Sequence, residues 1–265
     1  MKDSYILGID IGNTNTVFGL FNSKESGILH HWRTATHRDR TSDELGIFLT
    51  SFLNSETIDR ENITGFIYSS VVPSFNPVLE KMTQDYFKQK ALKISYDMVP
   101  LEISYPNPSE IGADRLVNAV AAKEKYGQNL IVIDMGTATT FCILTGGTYR
   151  GGVIAPGLNL SIEALTKNTA QLPSISFEKP SSGVIGDSTI HAMQSGFFYG
   201  WAGMLKGILD EIKKSHPETK FRIIAAGGFS GILQKEIPGM FDETDPLLTL
   251  NGLQIIYYHT QKIRQ

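Results

Sequence analysis

Residues 6–21 read ILGIDIGNTNTVFGLF, and residues 130–145 read LIVIDMGTATTFCILT. With Asp10 set over Asp134, Gly12 falls on Gly136, Asn13 on Thr137 and Thr16 on Thr140. Each stretch runs from a β-branched apolar segment through Asp-x-Gly and small polar residues into a second apolar segment. That order predicts a strand, a tight turn and a returning strand, which is a β-hairpin. The two aspartates stand 124 residues apart in a chain of 265. Solenoid repeats recur every ~20–50 residues, so duplication of a whole domain explains the spacing better.

The turn Asp10-Ile11-Gly12-Asn13-Thr14-Asn15-Thr16 carries a chemistry. Gly12 admits a backbone conformation that a Cβ would exclude. Successive N–H groups and the Asn and Thr side chains then face a common point and form a cradle for phosphate oxygens. Asp10 repels phosphate directly, but it can hold Mg²⁺, often through water, and the ion then bridges the polyphosphate. One such turn alone reads better as an ordinary polar hairpin, with Asp and Asn as turn residues. Two copies half a chain apart favour the cradle, with Asp10 and Asp134 as cation anchors. No G-x-x-x-x-G-K-[ST] or G-x-G-x-x-G motif is present, so a lysine clamp of the P-loop kind is not expected.

Outward from the hairpins, helical and strand signals alternate. Helices are expected over Asp43–Leu53, Asn76–Gln89 and Arg115–Tyr126, and strands over Gly65–Val72 and Ala91–Ile94. A Gly/Pro-rich stretch (GGTYRGGVIAPGLN) follows the second hairpin, then a helix over Leu160–Leu165 and a long one over Ser188–Lys214. Phe221–Ala225 reads as a strand ending in Ala226-Gly227-Gly228, where bare backbone can accept a flat adenine ring. A last strand is expected near Asp242–Leu250, before a C-terminal helix. The domain boundary is placed near residue 125, giving domains 1–125 and 126–265. Gly196, Gly200, Gly203 and Gly207 on the long helix permit close backbone approach by the sheet or a soluble partner.

Composition narrows the classes. Apolar residues make up 41% and charged ones 19%, with 24 basic against 27 acidic side chains, so the chain is globular and carries no basic footprint for nucleic acid. A single cysteine excludes an intrachain disulfide. No apolar run reaches the ~18 residues of a membrane helix, and Lys2-Asp3 with Asp10 interrupts any signal-peptide pattern. A cytoplasmic protein is expected. The six histidines include no His-x-x-x-His pair, so zinc is not expected.

Two phosphate hairpins with a strand ending in Gly-Gly resemble the actin, hexokinase and heat-shock ATPase superfamily. That likeness implies an α/β fold with two ribonuclease-H-like (actin-like ATPase) domains, each a mixed sheet with flanking helices. The chain is similar, over nearly its whole length, to type III pantothenate kinases. Six ordered blocks carry the resemblance: Asp10–Thr16, SSVVP at 69–73, Tyr105-Pro106 with EIGADR at 110–115, Asp134–Thr140, GGVIAPG at 151–157 and GDSTIHAMQSG at 186–196. The resemblance implies ATP-dependent phosphorylation of pantothenate, the first step of coenzyme A synthesis, by a homodimer with its site between the domains and pantothenate close to the subunit interface.

Residue roles follow from the same resemblance. Asp114 matches the catalytic base on the pantothenate hydroxyl; read without the resemblance, it is a helix N-cap. Asp10, Ile11, Gly12, Asn13, Thr14, Asn15, Thr16 and Val17, with Thr137, match the ATP site. Tyr105, Gly112, Ala113, Asp114, Arg115 and Thr189 match the substrate site. Asp134 matches the ligand of a monovalent cation, K⁺ or NH₄⁺, and Asp10 is the expected Mg²⁺ anchor. Ser188 departs from the family, which carries Asn before the threonine. The rivals are a Bvg-accessory-factor-like regulator without kinase activity, and sugar phosphorylation or polyphosphate hydrolysis on the same scaffold.

Overall fold

The structure, a computed structural model, describes residues 4–22, 27–181 and 183–263; Lys2 and Asp3 lie outside them. The chain divides into two units, Met1–Glu124 with Leu247–Gln265, and Lys125–Pro246.

In the first unit, β1 (Tyr5–Ile11) and β2 (Asn15–Asn22) form the expected hairpin, with Asp10 opposite Val17 and Ile11 opposite Thr16. β3 (Ile28–Ala35) continues it antiparallel. Helix α1 (Ser42–Ser55) then crosses to β4 (Ile63–Ser70), parallel to β1, and α2 (Asn76–Phe87) leads to β5 (Ala91–Lys93). The sheet order is β3-β2-β1-β4-β5. The two-residue β6 (Glu102–Ile103) and α3 (Ala113–Tyr126) follow. β1 is apolar up to Asp10 because it is central, with Ile6–Ile9 buried. Leu7, Ile9 and Ile11 join a core with Leu45, Leu49, Leu79 and Met82 of α1 and α2.

The second unit repeats this order. β7 (Leu130–Met135) and β8 (Ala138–Thr145) form the second hairpin and β9 (Thr148–Pro156) extends it. Helices α4 (Leu158–Lys167) and α5 (Thr189–Ser215) precede β10 (Arg222–Gly227), which is parallel to β7; α6 (Ser230–Glu236) and β11 (Glu243–Thr244) complete the order β9-β8-β7-β10-β11 within the unit. Phe198, Trp201, Leu205, Leu209 and Ile212 of α5 face its core. Gly196, Gly200, Gly203 and Gly207 lie on the exposed side, where a Cβ would meet nothing within 4 Å among the described residues.

Three expectations change. β3 and β9 are strands where none was expected: β9 holds the glycines and proline of the Gly/Pro-rich stretch. The strand expected over Asp242–Leu250 is only Glu243–Thr244, because Pro246 ends it and Leu248, Leu250, Leu253 and Ile256 form the buried side of a helix, α7 (Leu248–Ile263). That helix belongs with the first unit, so the segment 126–265 does not hold together as one domain. The cause is a pair of facing glycines: Gly8 and Gly19 are register partners, and a Cβ on either would meet Leu253 at 3.2 Å or Leu250 at 3.0 Å. The bare backbone there seats α7, and Thr249 Oγ1 donates to Asn118 Oδ1 of α3 at 2.7 Å.

Candidate active site

The first hairpin closes through the Gly12 N–H, which donates to the Asn15 carbonyl at 3.0 Å. Asn13, Thr14 and Asn15 are exposed at its tip, whereas Ile11 and Thr16 are buried. Of the expected ATP residues, Ile11 and Thr16 therefore build the turn, while the tip residues present polar atoms to solvent. Asp10 is partly buried at the end of β1, and its Oδ1 accepts a hydrogen bond from the Ser69 hydroxyl of its register partner on β4. Val17 is register partner to Asp10 on the other side.

A segment that sequence reasoning missed holds this tip. The Thr36 N–H donates to the Thr14 carbonyl at 2.9 Å, and the Thr36 hydroxyl donates to the Gly12 carbonyl at 2.8 Å while meeting the Thr16 hydroxyl at 2.9 Å. Arg38 Nη2 donates to Asn13 Oδ1 at 3.0 Å. Ser69 stood in the SSVVP block, but Thr36 carried no signal in the sequence. Arg38 carried none.

Asp114 lies in the first turn of α3, not at its cap. Gly112 holds the cap position, since its carbonyl accepts the first helical bond, from the Leu116 N–H at 3.3 Å. The Asp114 carboxylate instead accepts the Arg115 N–H at 2.8 Å. A Cβ at residue 112 would sit 2.6 Å from Asp114 Oδ1, so a side chain there would push the carboxylate from its place. Burial pushes the Asp114 carboxyl above its ordinary value, and the Arg115 N–H and guanidinium only partly offset this. Arg115 is buried, while Ala113, Gly112 and Tyr105 are intermediate in exposure.

In the second hairpin the Gly136 N–H donates to the Ala138 carbonyl at 3.0 Å, which makes this turn one residue shorter than the first. Asp134 faces Thr140 across the ladder and Met135 faces Thr139. Thr16 thus corresponds to Thr139 and not to Thr140, because an ungapped alignment carries the extra tip residue into β8. Thr137 and Gly136 are exposed, and Asp134 is partly buried. Gly157, which starts α4, packs on this turn: a Cβ there would stand 2.0 Å from the Thr137 carbonyl oxygen. Gly227 ends β10 at φ +87° against the backbone of Met135, so the Gly-Gly element abuts the hairpin.

Thr189 is exposed at the start of α5, and Ser188 is the cap, accepting the His191 N–H at 3.2 Å. His191 Nδ1 pairs with Asp187, and the Ser195 hydroxyl donates to the Val184 carbonyl. The departure at Ser188 thus leaves the helix capped. Cys142 is buried within β8.

Asp10, Gly12–Asn15, Tyr105, Gly112 and Asp114 belong to the first unit, and Asp134, Thr137 and Thr189 to the second. Among the described residues no group of three or more His, Cys, Asp or Glu side chains is poised for a metal, and no helix is long and apolar enough to cross a membrane. Asp10 and Asp134 each end a central strand with a single carboxylate, partly buried, beside a hairpin turn.

Solved structures with the same fold include a conserved protein described as a Baf family transcriptional activator from Campylobacter jejuni, at 19% identity and TM-score 0.57, covering 97% of this chain and 99% of that one. A candidate N-acetylmannosamine kinase from Listeria monocytogenes matches at 15% identity and TM-score 0.52, over 98% and 100%. A candidate N-acetylglucosamine kinase from Porphyromonas gingivalis matches at 15% and 0.51, over 97% and 99%. These likenesses establish the actin-like ATPase fold. The type III pantothenate kinase family profile matches residues 6–211, and with that match the chain belongs to the type III pantothenate kinase family.

Proposed function

We propose that this chain transfers the γ-phosphoryl group of ATP to the hydroxyl of pantothenate, giving 4′-phosphopantothenate and ADP in the first step of coenzyme A synthesis. The hydroxyl oxygen forms a bond to the γ-phosphorus, the bond from that phosphorus to ADP breaks, and the hydroxyl proton passes to the Asp114 carboxylate. The observation that supports this reading most directly is Asp114 itself: a carboxylate aimed by one backbone N–H and made more basic by burial. Arg115 offers a bidentate fork to the substrate carboxylate, with Tyr105, Gly112, Ala113 and Thr189 as further pantothenate contacts. The Asp10–Val17 hairpin and Thr137 contact ATP. Asp10 would hold Mg²⁺, which when bound would supply positive charge against the transferring phosphoryl group, and Asp134 would hold K⁺ or NH₄⁺. The exposed glycine stripe of α5 supports a homodimer, and the enzyme works in the cytoplasm. A transcriptional regulator without kinase activity gains no support from the Campylobacter likeness, which concerns the fold alone.

The test is a coupled ADP-release assay with pantothenate, Mg²⁺ and K⁺. Asp114→Asn should lower turnover about 10²- to 10⁴-fold while nucleotide binding persists. Because burial raises the Asp114 pKa, the folded state favours the protonated carboxyl. Any stability from this group is greatest in acid and is lost as pH rises through the raised value. The neutral Asn should accordingly melt no lower than wild type at pH 7, and the acid limb of wild-type activity should lie above the ordinary aspartate value of 3.8. Normal turnover in the variant would return Asp114 to a purely helical role. Exchange of K⁺ for Li⁺ should depress activity; indifference would remove the cation from Asp134.

A further inference from the structure

We infer that Arg38 is a polyphosphate contact of the first hairpin, the cation that the turn itself lacks. This rests on the kinase reading above. The turn 10–16 contains no basic residue and carries the Asp10 carboxylate, so a bound triphosphate meets added negative charge there. Arg38 supplies the opposite sign at the tip: its Nη2 donates to Asn13 Oδ1 at 3.0 Å, and its side chain is exposed. A guanidinium has five N–H donors, so the Asn13 bond leaves the fork able to take phosphate oxygens in the bidentate manner that suits arginine.

The position is fixed from both ends. Thr36 is bonded to the Gly12 and Thr14 carbonyls, two residues before Arg38. Three residues after it, Thr41 and Glu44 form a reciprocal capping box that starts α1. Between them the Arg40 N–H donates to the His37 carbonyl at 3.2 Å, a tight turn with Arg38 inside it. Arg40 is otherwise engaged, its guanidinium 5.1 Å from the centre of the Phe48 ring. Arg33 is the other basic residue near this row of the sheet, as register partner of Val17, but it lies on β3 and not at the tip.

The decisive variant is Arg38→Gln, whose amide can still donate to Asn13 but has no charge. ATP affinity should be measured by titration calorimetry with a non-hydrolysable ATP analogue and Mg²⁺, alongside KM for ATP and pantothenate and the melting temperature. Arg38→Gln should weaken nucleotide binding roughly tenfold, the usual scale for losing a charge-assisted hydrogen bond. It should flatten the salt dependence of that binding, and leave the pantothenate KM and the melting temperature unchanged. Unchanged nucleotide affinity, or a loss seen only in Arg33→Gln, overturns the inference. A lower melting temperature with both substrates weakened equally would make Arg38 a structural brace and also overturn it. Failure of the wild-type protein to bind the analogue would instead bring down the kinase reading, and this inference with it.

Discussion

The two hairpins share a topology and solve the same closure problem with different chemistry. In the first, a four-residue tip is braced by Thr36, just beyond β3, whose hydroxyl bonds the Gly12 carbonyl and meets Thr16. In the second, the sheet register puts Gly157 where Thr36 stands, and the shorter tip settles directly onto its bare backbone. The consequence reaches the adjacent strands. Thr16 and Thr139 are equivalent and both are buried, but only Thr16 finds a partner hydroxyl; Thr139 Oγ1 has no hydrogen-bond partner among the described residues. A similar divergence affects the acids. Asp10 neighbours Ser69, which donates to it, while Asp134 neighbours Ala226, which has no side-chain donor. The two hairpins thus keep the backbone path and the aspartate and differ in the residues set beside them.

The comparison can be broken most severely at Gly157. Its backbone angles are ordinary, φ −79° and ψ 155°, so an added methyl fails on space alone. Gly157→Ala should cost more than about 3 kcal/mol, as overpacking against rigid backbone does, and urea unfolding will report it; a loss under 1 kcal/mol would show that the second tip is not seated on that backbone. Next in size, Thr16→Val should cost about 1–2 kcal/mol, because it strips a partner from the Thr36 hydroxyl. The smallest effect should come from Thr139→Val, which removes an unsatisfied hydroxyl while keeping the shape and should be neutral or slightly stabilising. Equal losses at Thr16 and Thr139 would erase the distinction drawn between the hairpins.

Much of this architecture was legible because the central strands are apolar on both faces and the turns are punctuated by Asp and Gly. β1, β2, β7 and β8 follow from that alone. The flanking strands were less visible for opposite reasons. β3 (ILHHWRTA) is a half-exposed edge strand with few apolar residues, and β9 breaks its pattern with Gly151, Gly152 and Pro156. Placing α7 required knowing that Gly8 and Gly19 pair, a fact of register that composition does not hold. In the site, the aspartates were readable from their turns and Asp114 from its block. Ser69 also stood in a block, though its bond to Asp10 did not show; Thr36 and Arg38 were not readable, because each acts on a residue 24 or 25 positions away.

The placement of α7 also sets a timetable for synthesis. The Gly8–Gly19 face of the first sheet stays uncovered until Leu248–Ile263 has been translated, after the 122 residues of Lys125–Pro246. At ~5–20 residues per second, the ribosome takes roughly 6 to 25 s to pass that interval. The core of the first sheet against α1 and α2 lies within residues 7–91 and can form before that interval. The opposite face, at Gly8 and Gly19, waits until the last helix has been made.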